Sequence, residues 1–594
     1  MNEKTLPMSI LLFITIFFLG SSFANAEDAE GTSRGLVSVQ SDSLSNIMTI
    51  YVASEVITMD EDKPRATAVA VAGRRILGVG SKSDMLKLAG QRSVSVNVLF
   101  ADKIIVPGLI DQHLHPLLSA LTLSSEIISI EDWVLPEKTV KSAKNHEDYI
   151  RRLTNAEAAI VDPDKLLLSW GFHHYFHGKL TRIQLDSISS SRPIIVWHRS
   201  AHEFILNTAA LESVGVNEAL VVTLAPEIQK QINFAEGHFW ERGAFEFLLA
   251  KLMPAIASPE RLLKGLQFTE NYLHSSGVTT SAEPGGSTGM YNIQVAVLGD
   301  AQTPFRFYFI PDGRTLAGLY SGQNLIDETE KQLSQATGNT AFLPKQVKLF
   351  SDGAIFSQLM QMTEGYTDNH HGEWMMEPAV FANTFKTYWD AGYQIHIHQN
   401  GDAGLEMVLD NLEENLQRNP RFDHRTTIVH FGFATEEQVA RISRLGAIVS
   451  ANPYYPIALA DRYGEMGVGP KRSDLMVRLG DVGRAGVSFS FHSDMPMAPA
   501  QPLFLMWSAV NRMTPSGRVA GPNQRVSVQQ ALRAVTIDAA YSLRLEQEIG
   551  SIKTGKLANF TILDNSPFSV NPLEIKDIGI WGTVLEGRLQ PLRD

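Results

Sequence analysis

An apolar stretch that ends in two histidines separated by one residue constrains this chain more than any other feature. It reads Val106-Pro107-Gly108-Leu109-Ile110-Asp111-Gln112-His113-Leu114-His115-Pro116. Side chains two residues apart on a strand point the same way, so the imidazoles of His113 and His115 can reach one point in space. A metal ion requires that arrangement, and a hydrophobic core does not. The stretch therefore predicts half of a metal site, which residues further along the chain must complete.

Four further residues able to bind a metal stand in or just after strand-like runs: Lys348, His398, His430 and Asp494. If these runs are strands of one barrel, their carboxyl ends meet at its mouth, where barrel enzymes place their active sites. The six side chains are therefore predicted to converge at one end of the barrel.

Strand-like runs alternate with helical stretches through the middle of the chain, which predicts an α/β fold built on a (β/α)8 TIM-like barrel over residues 107–547. An inserted subdomain after the first barrel strand, at about 117–200, is expected to cover the substrate. Besides the strand before His113, the predicted strands are 194–197, 277–280, 306–309, 347–350, 394–398, 427–430, 447–450 and 488–491.

The two ends of the chain share short β-rich stretches separated by turns. Residues 47–106 and 548–594 are predicted to pair into one small β-sandwich domain formed from both termini. A chain of 594 residues, 44% of them hydrophobic, is long enough for a large barrel and this small domain.

The first 26 residues have the pattern of a secretory signal peptide. Lys4 precedes an apolar run over residues 10–19, and Ala24-Asn25-Ala26 supplies the small residues before a cut. A membrane anchor is the alternative, but the run is about half of the ~20 residues that a spanning helix needs. The chain has no cysteine, which excludes thiolate metal ligands. We expect a periplasmic or secreted bacterial protein without stable membrane insertion after cleavage.

The charge of the chain argues against a nucleic-acid partner. The formal net charge is −13, and no long cluster of lysine and arginine occurs, whereas binding to phosphates needs basic patches. A small-molecule substrate is the expected partner, and a homodimer stays open.

The order His-x-His, Lys, His, His, Asp resembles the amidohydrolase superfamily. The flanking residues are most similar to its amidohydrolase-3 branch, the YtcJ-like and N-substituted formamide deformylase-like proteins. The matching segments are 107–115, Lys-Leu-Phe-Ser-Asp-Gly at 348–353, His-Gln-Asn-Gly-Asp at 398–402, Ser-Asp-Met-Pro at 493–496 and Gly-Ser-Ile-Lys-Thr-Gly-Lys-Leu-Ala at 550–558. The resemblance extends from about residue 49 to residue 588.

This resemblance implies a zinc centre of one or two divalent ions. A lysine ammonium cannot bind a cation, but Lys348 carboxylated by CO2 would present two anionic oxygens and bridge the ions. Imidazole and carboxylate ligands suit zinc, although iron, manganese or nickel stay open. The implied metal ligands are His113, His115, Lys348, His398, His430 and Asp494.

The resemblance also implies the catalytic roles. A metal-activated water would attack, and Asp494 would accept its proton and deliver it to the leaving nitrogen. His430, if it is not a ligand, would polarise the scissile carbonyl.

Each assignment has an alternative. Lys348 as an ordinary lysine would leave a single-metal site. His396 competes with His398, because both lie on one strand face. The remaining alternatives are His113 and His115 as a surface or core pair, His398 as a core imidazole, His430 as a structural hydrogen-bonding residue and Asp494 as a helix N-cap.

Three residues in or near the inserted region are predicted to contact substrate. Trp170 and His174 belong to the segment Trp-Gly-Phe-His-His-Tyr-Phe-His over residues 170–177, whose imidazoles could line a pocket, bind a second cation or simply pack. His202 lies in a segment that resembles the family's pocket histidine, with a loop-stabilising role as the alternative. The role of the nearby Gly-x-x-x-Glu at 237–241 stays open.

The sequence thus predicts an exported metal-dependent hydrolase that cleaves an amide- or formamide-type carbon–nitrogen bond. A deaminase of the same superfamily is less favoured, because no glutamate adjoins His398 or His430 and Lys348 is present. A non-catalytic metal-binding or regulatory protein that has kept the barrel is the third interpretation.

Overall fold

The computed structural model describes residues 47–286 and 291–592, so the predicted signal peptide at 1–26 lies outside the described residues. In chain order the strands are β1 (Ile47–Ile57), β2 (Arg65–Ala72), β3 (Arg75–Gly80), β4 (Ser93–Pro107), β5 (Leu109–Asp111), β6 (Glu126–Ile127), β7 (Trp133–Val134), β8 (Thr139–Val140), β9 (Leu167–Phe172), β10 (Ile194–His198), β11 (Glu203–Leu206), β12 (Ile232–Asn233), β13 (His238–Trp240), β14 (Val278–Gly286), β15 (Arg306–Pro311), β16 (Ala336–Thr337), β17 (Thr340–Phe342), β18 (Gln346–Phe350), β19 (Gln394–Gln399), β20 (Thr427–His430), β21 (Ile448–Ala451), β22 (Phe489–Phe491), β23 (Phe560–Leu563), β24 (Ile580–Leu585) and β25 (Arg588–Pro591).

Helices follow most of these strands. None of the helices in the described part of the chain is long and apolar enough to cross a membrane. The α-helices are α1 (Lys82–Leu88), α2 (Pro116–Leu123), α3 (His146–Ala158), α4 (His174–His177), α5 (Arg182–Ile188), α6 (Thr208–Ser213), α7 (Glu218–Val221), α8 (Pro226–Gln229), α9 (Leu249–Ile256), α10 (Pro259–Ser275), α11 (Tyr291–Leu298), α12 (Gly313–Leu319), α13 (Gly322–Leu333), α14 (Pro378–Asp390), α15 (Asp402–Arg418), α16 (Glu436–Leu445), α17 (Tyr455–Met466), α18 (Pro470–Asp474), α19 (Leu479–Arg484), α20 (Pro502–Asn511), α21 (Val528–Ala534) and α22 (Ile537–Ser542).

Eight parallel strands form the barrel, in the order β5, β14, β15, β18, β19, β20, β21 and β22. The first three and the last five belong to two hydrogen-bonded sheets. The sheets meet at a parallel bridge between Asp312 and Lys348. The two sheets also meet where the segment after β22 contacts the segment after β5. There the Asp494 N–H donates a hydrogen bond to the His113 carbonyl at 2.8 Å. The predicted α/β fold is confirmed, and the carboxyl ends of the strands converge at one mouth.

A separate sheet is inserted between β5 and β14, with the order β12, β13, β11, β10, β9 and β6. The predicted strand at 194–197 is β10, which pairs with β9 and β11 in this inserted sheet and not with the barrel strands. Every residue of β10 is buried, and so is every residue of the barrel strand β19. Because strands of both sheets are uniformly apolar or buried, hydrophobic pattern alone could not separate them. The inserted sheet also continues to Trp240, beyond the predicted limit near residue 200.

Both termini contribute to one mixed sheet with the order β25, β24, β23, β4, β1, β2 and β3. The long strand β4 is its centre, because it pairs in parallel with β1 and antiparallel with β23. The small domain built from both ends of the chain is therefore present. Its seven strands are hydrogen-bonded into one sheet. This differs from the two-layered sandwich that the sequence predicts.

A buried carboxylate joins this terminal sheet to the barrel. Glu586, at the turn between β24 and β25, accepts hydrogen bonds from Arg306 Nε and Nη2 at 2.7 and 2.9 Å and from Arg74 Nε at 2.7 Å. Arg306 begins the barrel strand β15. Burial raises the pKa of Glu586, but the two guanidinium groups outweigh it, so the pKa lies below its usual value.

Removal of this charge should therefore destabilise the fold. We expect Glu586→Gln to lower the free energy of unfolding by about 2–4 kcal/mol, because two guanidinium groups lose a buried partner. The matched control is Glu548→Gln, whose carboxylate pairs with Arg75 but is 48% exposed, and there the change should stay below about 1 kcal/mol. Urea unfolding measures both variants, and equal denaturation midpoints would contradict the prediction.

Candidate metal centre

The ends of three barrel strands place four polar side chains at the mouth. His113 and His115 follow β5, His430 is the last residue of β20, and Asp494 lies three residues after β22. His430 and Asp494 both adopt left-handed backbone conformations, with φ of 73° and 56°. Such conformations cost about 1–3 kcal/mol each for residues other than glycine and are concentrated at functional sites.

The carboxylate of Asp494 is the centre of this group. Its Oδ1 lies 3.3 Å from His113 Nε2 and 3.2 Å from His115 Nε2, and its Oδ2 lies 3.6 Å from His430 Nδ1. Donor atoms of His113, His430 and Asp494 all lie within 4.8 Å of one another, and all three residues are buried. The structure thus brings together four of the six residues predicted as metal ligands.

His398 and Lys348 lie beside these four residues. The His398 ring centroid is 4.5 Å from that of His430, and its Nε2 accepts a hydrogen bond from Asn400 Nδ2 at 3.0 Å. The competing His396 lies two residues earlier in β19, and its Nε2 is bonded at 2.9 Å to Oε1 of Gln346, the first residue of β18.

Lys348 is buried, and its Nζ has no hydrogen-bond partner among the described residues. A buried, unpaired polar group costs about 1–3 kcal/mol. A carboxylated Lys348 bound to a cation would remove that cost, and the surrounding imidazole and carboxylate donors are those that zinc prefers. The residues present therefore fit a divalent-metal centre.

Burial sets the protonation of the site. It lowers the pKa of His113, His398 and His430 well below the usual value, and the charge of Lys348 lowers it further, so these rings keep their lone pairs at neutral pH. Burial also lowers the pKa of Lys348 to about 7, with Asp494 opposing the shift. A neutral amine, the form that reacts with CO2, is therefore present near pH 7.

His115 differs from the other rings. Burial lowers its pKa, but hydrogen bonds and the charges of Asp494 and Glu283 outweigh that effect and raise the pKa to about 9. In the ion-free protein His115 therefore carries a proton that a bound cation would displace.

Two residues near the centre were not predicted as members of it. His492 stacks on His113 with ring centroids 4.8 Å apart, and its Nε2 lies 3.2 Å from His430 Nδ1. Glu283 Oε1 lies 3.6 Å from His115 Nδ1. The sequence signal for His492 was its position directly before Ser493-Asp494. The sequence indication for Glu283 was weaker, because the predicted strand 277–280 ends before this residue. The observed strand β14 includes Glu283 and continues to Gly286.

The structure places His202 beside a carboxylate. Its Nδ1 lies 3.1 and 3.2 Å from the two oxygens of Glu241, the glutamate of the Gly-x-x-x-Glu segment. Burial lowers the pKa of His202, but Glu241 outweighs it and the pKa is raised. Glu241 therefore fixes the orientation of the His202 ring.

The other two predicted substrate residues lie elsewhere. Trp170 is fully buried in the core, against the ring of Trp133 and under the guanidinium of Arg199 at 4.8 Å, so it has no surface to offer a substrate. His174 is exposed and forms a cluster with His173 and His198 in the inserted sheet, separate from the group around Asp494.

Comparison with known proteins decides the family. The amidohydrolase family model (Amidohydro_3) matches residues 101–590, which cover most of the chain. The chain belongs to the amidohydrolase family. The resemblance seen in the sequence motifs is thereby confirmed.

The similarity to known proteins covers nearly the whole chain of this amidohydrolase. It is 25% identical to Protein LONG AFTER FAR-RED 3 of Arabidopsis thaliana, covering 86% of each chain. It is 24% identical to the N-substituted formamide deformylase of Arthrobacter pascens, covering 91% of this chain and 98% of that one. Among solved structures, an uncharacterized metal-dependent hydrolase from Pyrococcus horikoshii OT3 matches with a TM-score of 0.67 at 19% identity, covering 88% of this chain and 99% of that one.

The metal content of the amidohydrolase should depend on Lys348. We expect Lys348→Met to remove one metal equivalent, because methionine fills the same space but cannot be carboxylated. The matched control is Lys345→Met, which changes an exposed lysine three residues away and should remove none. Elemental analysis after loading with zinc and bicarbonate measures both variants. Unchanged zinc in Lys348→Met would support a single-metal site instead.

Proposed function

We propose that this amidohydrolase cleaves a carbon–nitrogen bond of a small amide, with an N-substituted formamide as the most favoured substrate class. The observation that carries the proposal is the group of His113, His115 and His430 around Asp494 at the barrel mouth. The formamide class is suggested by the relative that is named for that substrate and is matched over 98% of its length.

The proposed metal ligands are the six predicted residues. His113 and His115 would hold one ion with Asp494, while His398, His430 and carboxylated Lys348 would hold a second. When bound, such ions supply Lewis acidity and lower the pKa of a water molecule so that it can attack near neutral pH.

The side chains of the protein would supply the proton transfers. Asp494, buried beside His113 and His115, accepts a proton from the attacking water and delivers it to the leaving nitrogen. The leaving group then departs as a neutral amine instead of an unstable amide anion.

His202 would orient the scissile carbonyl. Its Nδ1 is held by the Glu241 carboxylate, which leaves Nε2 to donate a hydrogen bond to the carbonyl oxygen. The raised pKa of His202 supports this role, since a protonated imidazole stabilises developing negative charge better than a neutral one.

The reaction is tested by the products formed from a panel of N-formyl and N-acyl amines. The proposal expects formate and the free amine in equal amounts, loss of activity after chelation and recovery with zinc. Release of ammonia from an aromatic amine would favour the deaminase interpretation. A protein that is loaded with metal but inert on the whole panel would favour a non-catalytic binding role.

The proton-transfer role of Asp494 makes a separate prediction. Asp494→Asn should lower kcat/KM by about 10²- to 10⁴-fold, the usual contribution of a positioned acid–base group. Asp368→Asn, which changes a carboxylate that is 57% exposed, is the control and should leave kcat/KM within about twofold. An Asp494→Asn variant that keeps a tenth or more of the activity would refute the role.

We also propose that the protein is exported and cleaved after Ala26, on the signal pattern of residues 1–26. Intact-mass measurement of protein from the periplasmic fraction of a bacterial host should give a chain that begins at Glu27. Ala26→Arg should block the cut, because signal peptidase needs a small residue there. An uncleaved wild-type chain retained in the cytoplasm would contradict the proposal.

A further inference from the structure

A second cluster of imidazoles lies in the inserted domain, made by His173, His174 and His198. One nitrogen from each ring lies within 4.8 Å of the others. His173 and His174 follow β9, and His198 ends the parallel neighbour β10, so adjacent strand ends bring them together. We propose that this cluster is a transition-metal site, separate from the barrel-mouth centre, for an ion that prefers imidazole nitrogen, such as Zn²⁺, Cu²⁺ or Ni²⁺.

An unpaired nitrogen points to a missing ligand in this cluster. His198 is only 1% exposed, and its Nε2 has no hydrogen-bond partner among the described residues. Its other nitrogen, Nδ1, accepts from Ser200 N at 3.1 Å and lies 2.9 Å from Ser200 Oγ. A buried unpaired nitrogen costs about 1–3 kcal/mol, and coordination to an ion would satisfy it.

Coordination also requires one proton to move. In the ion-free ring the Ser200 N–H donates to Nδ1, which leaves the proton of the neutral imidazole on Nε2. An ion bound at Nε2 displaces that proton to Nδ1. The Ser200 N–H then gives up its hydrogen bond to Nδ1, and Ser200 Oγ, 2.9 Å away, accepts a hydrogen bond from the new Nδ1–H. A metal-ligating histidine commonly has a hydrogen-bond acceptor beside its second nitrogen.

The charge near the cluster favours a cation over an anion. Glu203 is a buried carboxylate, 8% exposed, that lies 2.9 Å from His238 Nε2 and 3.6 Å from His198 Nδ1. Among the described residues it forms no ion pair with lysine or arginine. In the described part of the chain its ion-pair partners are the imidazoles of His198 and His238, so an ion held by His198 would balance a buried negative charge.

The cluster lies where the inserted domain meets the barrel loops. His173 Nε2 is 3.4 Å from the hydroxyl of Tyr463, on α17, and the neighbouring Tyr175 donates to Gln358 Oε1 at 3.1 Å. The cluster shares no residue with the group around Asp494. The exposed His174 gives an ion a route from solvent. A bound ion would fix the inserted domain against the barrel loops.

Metal stoichiometry tests the proposal directly. The full chain is stripped with a chelator and titrated with Zn²⁺, and bound equivalents are counted by elemental analysis after gel filtration. His174→Ala should bind one equivalent fewer than wild type, and this exposed position can be changed without opening the core. His371→Ala, which removes another exposed histidine, should bind as many equivalents as wild type.

Two further measurements separate this site from the barrel-mouth centre. In the copper-loaded full chain, electron paramagnetic resonance should show a signal with nitrogen couplings that His174→Ala removes and that Lys348→Met leaves in place. Glu203→Gln should weaken Zn²⁺ binding at this site by about 10- to 100-fold, the usual effect of losing a partner of a metal ligand.

Two outcomes would overturn the proposal, whatever reaction the enzyme catalyses. One is equal metal content in wild type and His174→Ala, with circular dichroism showing that both are folded. The other is an equal loss in His174→Ala and His371→Ala, which would mean adventitious binding to surface histidines.

Discussion

The buried carboxylate of Asp494 is the constraint on which the rest of this site depends. It lies 3.2–3.6 Å from nitrogens of three imidazoles that come from two different parts of the barrel. A buried negative charge is costly unless a cation pairs with it, and of these rings His113 and His430 stay neutral because burial lowers their pKa. The barrel mouth therefore combines free lone pairs with an anionic oxygen, which is what a divalent ion requires.

The inserted domain holds the loop that carries Asp494. The buried guanidinium of Arg199 donates to the Met497 carbonyl at 2.7 Å and pairs with Glu131 at 2.6 Å. It also lies over the rings of Trp170 and Phe356 at 4.8 and 4.5 Å. Trp170 thus supports, from the core, the position of the loop that carries Asp494. In this arrangement the barrel carries the imidazole and carboxylate groups, and the inserted domain holds the loop next to them.

The residues around Asp494 could be predicted because strand ends and side-chain chemistry coincide at them. His113 and His115 are two residues apart and follow an apolar strand, while His430 and Asp494 stand at or just after the ends of two other strands. Because the carboxyl ends of parallel barrel strands meet at one mouth, these four side chains come close together. His492 escaped prediction because a buried imidazole beside a motif looks the same in sequence whether it packs or binds.

The inserted domain could be predicted only in outline. Its strand β10 is as apolar and as buried as a barrel strand, so local pattern alone could not assign it to one of the two sheets. Trp170 was predicted at the substrate because it begins a segment of imidazoles and aromatic residues that could line a pocket, but its partner Arg199 is 29 positions away along the chain. The pairing of Glu241 with His202 likewise depends on β11 and β13 lying side by side, which no local pattern reveals.

Anomalous diffraction at the zinc edge, from crystals of the zinc-loaded protein, tests the central claim most directly. The account predicts a strong peak within bonding distance of His113, His115 and Asp494, and a second one between Lys348, His398 and His430. An absence of any peak beside Asp494 in a protein that retains bound zinc would contradict it.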